Sequence, residues 1–281
     1  MKVFILGAGH VGTALSIAFK RIGFGVFIAS RTLESAKRAA ALSHGKVCTL
    51  KDFRDADVIF LTVPDSEIVN AAKEVEEFVS KKQVVVHTSG ALSSEILSFL
   101  DAHVASLHPL KSFADPIDSA NSLRGVLFTF EGDGVAQLVL NRMVERLGGK
   151  FVRIQSKDKI LYHLAAVLTA NYTVSLFNIS ESILLDIGFS KEESKDMLLN
   201  LLGGVIDNIR TGGSVFALTG PIERGDSLTV KKHLDAIKDP MVKNIYIFLG
   251  FATLNIAKQK GLSKEKFDDI RKVLNEQNNC S

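Results

Sequence analysis

Cysteine is nearly absent from this chain of 281 residues: Cys48 and Cys280 are the only two. They are too few for a disulfide framework or a metal cluster, so no metal is expected and a reducing, cytoplasmic setting is. Charge of one sign is also lacking. The 34 Lys and Arg stand against 31 Asp and Glu, and no basic block occurs. Neither nucleic acid nor an anionic membrane is therefore implied as a partner. Met1-Lys2 runs straight into an apolar stretch, which leaves no place for a signal peptide. Linkers, repeats and low-complexity tracts are missing. A clean membrane span is missing too. Residues 160–180 hold no Asp, Glu, Lys or Arg, yet they carry His163, Thr169, Asn171, Thr173, Ser175, Asn178 and Ser180. That polar load predicts a helix buried on most sides, inside a domain or a dimer interface, rather than one in lipid.

What is present starts at the first residue. M-K-V-F-I-L-G-A-G-H-V-G sets Gly7, Gly9 and Gly12 in G-x-G-x-x-G spacing between an apolar strand and a helix. In a dinucleotide site the first glycine allows the tight turn and the second admits the pyrophosphate. The third lets helix and strand pack closely. The helix N-terminus then faces the phosphates with unsatisfied N–H groups. Gly7, Gly9, His10, Val11 and Gly12 are thus expected at the cofactor.

Strand signals recur at 2–6, 25–30, 46–49, 57–63, 83–88, 103–107, 125–131 and 150–154. Several are continuous Val/Ile-rich runs, as in parallel strands covered on both faces. Helical stretches at 13–22, 33–42, 67–79 and 135–147 separate them, and glycines follow where helices should stop. After Ser156 the signals are helical only: 157–186, 191–211, 229–238, 240–260 and 264–275. Ser190 with Glu193 reads as a capping box, and Ser263 as a simple cap. The expected architecture is an α/β Rossmann domain over 1–155, doubly wound with a mostly parallel sheet. An all-helical domain for substrate and dimerisation follows over 156–281.

The second strand ends V-F-I-A-S-R-T. An acidic residue there would take the ribose 2′-hydroxyl of NAD. Instead Ser30 fills the slot, with Arg31 and Thr32 behind it, a set suited to the 2′-phosphate of NADP. Two further strand ends face the same crevice. Val63-Pro64-Asp65 and Thr88-Ser89-Gly90 are expected near the cofactor, although Asp65 reads equally well as a helix cap.

Taken in order, G-A-G-H-V-G, S-R-T, V-P-D, H-T-S-G-A-L-S, S-L-H-P-L-K-S-F, L-T-A-N-Y and L-T-G-P-I-E-R-G-D carry a resemblance over essentially the whole chain. The chain resembles the Rossmann-like family with a C-terminal domain of unknown function. That family is similar to pyrroline-carboxylate reductase, prephenate dehydrogenase, ketopantoate reductase and the β-hydroxyacid dehydrogenases. The resemblance implies hydride chemistry in a cleft between the two domains, on a substrate it does not name. His108-Pro109 looks like the H-P element of prephenate dehydrogenases. The catalytic Lys that β-hydroxyacid dehydrogenases carry four residues before an Asn is not matched: Val167 precedes Asn171.

Hydride transfer to C=O or C=N needs a proton donor or hydrogen-bond donors at the developing charge. The expected catalytic set is His108 as proton donor, with Asn171 and Ser89 beside it. His163 and Arg224 are expected at the substrate, Arg224 gripping a carboxylate. A lone histidine on an apolar face is more often a satisfied core group, which is the competing reading of His163, and the loop 219–226 reads equally as a plain interhelical turn. Two functions follow. One is an NADP-dependent oxidoreductase acting on a small polar, carboxylate-bearing substrate as a homodimer through its helical domain. The other is a non-catalytic NADP-binding sensor.

Overall fold

A computed structural model describes residues 1–278, so Cys280 lies outside the described residues. Eight strands form one sheet: β1 (Lys2–Leu6), β2 (Gly25–Ala29), β3 (Lys46–Val47), β4 (Val58–Leu61), β5 (Val84–His87), β6 (His103–Pro109), β7 (Leu127–Gly132) and β8 (Lys150–Arg153). Their spatial order is β3-β2-β1-β4-β5-β6-β7-β8. All neighbours are parallel except β6 and β7. The order reverses between β1 and β4, and ligands of such sheets lie beyond the carboxyl ends at that switch point. The fold class is the one the alternating pattern implies.

Both faces are covered, which is why the strands read as unbroken apolar runs. Val3 and Ile5 of β1, with Val58 and Phe60 of β4, enter one core. Phe4 and Leu6, with Ile59 and Leu61, enter the other. Helices α1 (His10–Arg21), α2 (Leu33–Ser43) and α5 (Gly134–Arg146) add residues to the first core, and α3 (Ile68–Val75) to the second. A short α4 (Pro116–Asn121), not expected from the sequence, is started by Pro116 and capped by Asp115.

Helices alone follow: α6 (Lys159–Asp186), α7 (Lys191–Ala217), α8 (Pro221–Arg224), α9 (Ser227–Ala236), α10 (Pro240–Gln259) and α11 (Lys264–Asn278). The capping box is formed, since Ser190 Oγ accepts from Glu193 N–H and the Glu193 carboxylate accepts from Ser190 N–H. Ser263 Oγ accepts from Lys266 N–H as the simple cap. Gly213 adopts φ 76°, ψ −176° and breaks α7 four residues before its end. Ile222, Val230, Leu234, Ile247, Leu254, Ile270 and Leu274 form a separate core in α8–α11.

Two compact units result, Met1–Tyr172 and the remainder from Thr173. The composition changes at 155–156, but compactness divides the chain inside α6, because the first turns of that helix pack on the sheet. Over its 28 residues only Lys159 is buried. Burial of 160–180 within the chain is thus not what the fold provides: Leu161 is 68% exposed and Val174 69%. Segment Ser156–Asp186 is long and apolar enough to cross a membrane by length and composition. Its first turn, however, is anchored in the sheet through Lys159.

Candidate functional site

The turn from β1 into α1 is built for glycine. Gly7 has φ +117°, and a Cβ there would lie 2.6 Å from the Thr62 carbonyl oxygen. At Gly12 a Cβ would lie 2.1 Å from the Gly7 carbonyl oxygen. Around Gly9 nothing lies within 4 Å of the Cβ position. Gly9 is also the N-cap of α1, so no side chain covers the first N–H groups and no acid sits in the first turn. That open, partly positive end is an anion cradle. His10 is exposed, and its Nδ1 donates to the Phe113 carbonyl 3.0 Å away, tying the turn to the segment after β6. Val11 is half-buried against the first core.

Beside the turn lies a cavity of about 760 Å³. Of the residues expected at the cofactor, Gly7, Gly9, Ser30, Arg31, Thr32, Val63 and Pro64 line it. His10, Val11, Gly12, Asp65, Thr88 and Gly90 are not in its wall. Ser35 and Arg38, from α2, are. Thr32 caps α2, accepting from Ser35 N–H and bonding Ser35 Oγ at 2.8 Å. Arg31 stands just before the helix and Arg38 one turn after Ser35 on it, and both reach the same cavity. Among the described residues neither guanidinium has an ion-pair partner.

A second polar group gathers beyond the carboxyl ends of β4, β5 and β6. Ser89 Oγ donates to Asp65 Oδ2 at 2.7 Å and accepts from the N–H groups of Ala91 and Leu92. Asp65 thus holds the loop after β5 and makes no side-chain cap on its own 3₁₀ turn. Ser89 N–H donates to His87 Nδ1, while His87 Nε2 lies 3.3 Å from the Ser93 carbonyl. A carbonyl only accepts, so His87 is the neutral Nε2–H tautomer. Burial pushes its pKa down to about 4, with Lys159 adding to the effect and the Ser93 bond opposing it.

His108 sits half-buried at the end of β6, with Nδ1 2.8 Å from the Tyr162 hydroxyl of α6. Its pKa falls to about 4, through burial first, then His163 and Lys159, with Asp65 opposing. Burial raises the Tyr162 phenol. Lys159 is buried, and its Nζ donates to Ser106 Oγ at 2.7 Å and to the Ser89 carbonyl at 3.4 Å. Burial pulls its pKa below the usual lysine range, against Glu131 and Asp65. Gly90 is the contact point: a Cβ there would stand 2.8 Å from His163 Nδ1 and about 3 Å from the His108 ring. His163 Nδ1 is buried and, among the described residues, has no hydrogen-bond partner.

The structure thus brings Ser89, Gly90, His108 and His163 together. Asn171 is exposed on α6, eight residues and about 12 Å of helix beyond His163. Arg224 is exposed in the second unit, in a turn where Asp226 caps α9 and Lys266 Nζ donates to the Arg224 carbonyl. Sequence reasoning missed Arg38, Lys159 and Tyr162. A signal existed for each of the first two. Arg38 stands in the second turn of the helix that Thr32 caps, three residues after Ser35. Lys159 bounds the charge-free stretch four residues before His163, on the same helical face.

A model for a Rossmann-like domain matches residues 1–109, and one for a domain of unknown function, DUF2520, matches 126–253. The crystal structure of protein TM1727 from Thermotoga maritima is 28% identical, with TM-score 0.74, covering 92% of this chain and 99% of that one. The pyrroline carboxylate reductase of Plasmodium falciparum, solved with NADP bound, shares the fold: TM-score 0.59, 12% identity, 99% of this chain and 97% of that one. A prephenate dehydrogenase from Lactococcus lactis subsp. cremoris is 26% identical over 99 residues, 34% of this chain and 28% of that enzyme. The match spans little more than a quarter of its length.

Proposed function

For a chain that joins a Rossmann-like domain to a DUF2520 domain, we propose an NADP-dependent oxidoreductase that passes a hydride to or from a small polar, carboxylate-bearing substrate. One observation carries the reading. Two guanidiniums without ion-pair partners, Arg31 and Arg38, line a cavity beside Ser30, Thr32 and Ser35, where an NAD site would carry an acid. A 2′-phosphate fits that set through charge-assisted bonds. The uncovered N-terminus of α1 suits the pyrophosphate, and the strand ends at Val63-Pro64 and Thr88–Gly90 suit the nicotinamide half. Bound there, the dinucleotide supplies or accepts the hydride.

The protein's own groups supply the proton. His108 is neutral near pH 7, so it acts within a pair. With Tyr162 donating to Nδ1, the ring presents Nε2–H to an oxygen gaining negative charge. Ser89, its hydroxyl engaged by Asp65, keeps the loop in place. His163 stands next to the pair across Gly90. A second copy of the chain is proposed to cover the apolar surface of α6.

Calorimetry tests the reading. NADPH is expected to bind more tightly than NADH, and equal affinities would overturn it.

A further inference from the structure

Lys159 is the one Asp, Glu, Lys or Arg buried among the described residues, at 1% exposure, and the proposed reaction has no direct use for it. Among the described residues it has no carboxylate within ion-pair distance. The two whose fields reach it are engaged elsewhere. Asp65 accepts from the Ser89 hydroxyl, and Glu131 accepts from Ser94 N–H at 2.7 Å and Ser94 Oγ at 2.6 Å. A buried ammonium left in this way is poor evidence of a stabilising device, because desolvation costs more than scattered hydrogen bonds return. Its placement does have a consequence for the site. Nζ bonds the Ser89 carbonyl, the peptide that leads into Gly90, and Ser106, two residues before His108 on β6. Ser106 Oγ in turn donates to the same Ser89 carbonyl at 3.0 Å. The rings of His108 and His163 stand about 3 Å from where a Gly90 Cβ would lie.

We propose that Lys159 is the positioning residue of this site: it clamps the Ser89–Gly90 backbone to β6 and sets a positive charge near His108 that, with burial and His163, disfavours the imidazolium. Use of the His108–Tyr162 pair as a proton donor rests on the function proposed above; the clamp and the charge effect do not. The charged and titratable groups around the pair come from several elements. Lys159, Tyr162 and His163 come from α6, Asp65 from the turn after β4, His87 from β5 and Glu131 from β7. At His108 itself burial disfavours the imidazolium most, His163 and then Lys159 add to that, and Asp65 favours it.

The test is histidine-labelled NMR titration of the full chain without cofactor. In the wild type His108 should titrate near 4. Lys159→Met should move the midpoint toward 6.5 by about half a pH unit or more, while Lys159→Arg, which keeps the charge, should leave it low. His103, paired with Asp133 at the surface, is the internal control. A second arm needs no variant at position 159. On raising the pH of the wild type, the His108 ring signals should show an inflection below the ordinary lysine midpoint of about 10.4 as Lys159 loses its proton. The inflection should persist in Tyr162→Phe. Equal His108 midpoints in the Met and Arg variants overturn the proposal. So does a wild-type His108 signal without the alkaline step, which decides the matter if Lys159→Met does not fold. Because both arms are read without cofactor, a failure to bind NADPH counts against the proposed function and leaves this result standing.

Discussion

At the scale of single residues, cofactor choice and acid sensitivity rest on different side chains. Arg31→Ala should weaken NADPH by about 1.5–3 kcal/mol, the range for hydrogen bonds to charged groups, and leave NADH unchanged. Arg38→Ala should act in the same direction, and calorimetry with both dinucleotides checks the pair. His87 sets a pH dependence. Its folded value of about 4 lies below the ordinary 6.5, so the unfolded chain binds the proton more readily. The stabilisation is complete above pH 6.5, declines as pH falls toward 4, and is lost below that, a loss of about 3 kcal/mol. His108, lowered to about 4 as well, adds to the same slope. Urea midpoints between pH 7 and 4 should fall steeply for the wild type and less steeply for His87→Gln. His87 read as a strand residue from its apolar neighbours. Its neutral tautomer depends on Ser89 and Ser93, which only the folded loop supplies.

At the scale of elements, turns and caps carry the strain and the specificity. Gly7→Ala would place a Cβ against the Thr62 backbone at positive φ, where no side chain can move aside. Destabilisation of more than about 2 kcal/mol is expected, measured by denaturant unfolding. Ser190→Ala removes a formed capping box and should cost about 1 kcal/mol, read in the same assay. The long helices and all eight strands were legible, because their periodicity and stop signals run over many residues. The short α4 and α8 were not. Each begins with proline and spans only four to six residues, too few for an apolar period to show.

At the scale of the whole molecule, the outstanding feature is apolar surface left open along α6. Ile160, Leu161, Leu164, Leu168, Tyr172 and Val174 are all exposed, more than an isolated soluble chain ordinarily leaves wet. A closed two-fold pair is the commonest way to cover such a face. Light scattering at micromolar concentration should give twice the 30.6 kDa chain mass. Val174→Glu, which buries a charge in that contact, should shift the protein toward monomer. A wild-type monomer would sink the dimer.

The sequence by itself determined the sheet, its doubly wound class and the residues that line the cavity between the β1–α1 turn and the end of β2. Those follow from local information: apolar runs, glycine spacing, and the residues that end β2. The tertiary structure alone decided the rest. It left most of α6 exposed within the single chain, since burial is a relation between surfaces and not a property of composition. It also joined Ser89, Ser106, His108, Lys159 and Tyr162, which lie up to 73 positions apart in the chain. Hydrogen bonds at 2.7–2.8 Å between such distant groups arise only when parallel strands set their carboxyl ends side by side and a later helix returns across them.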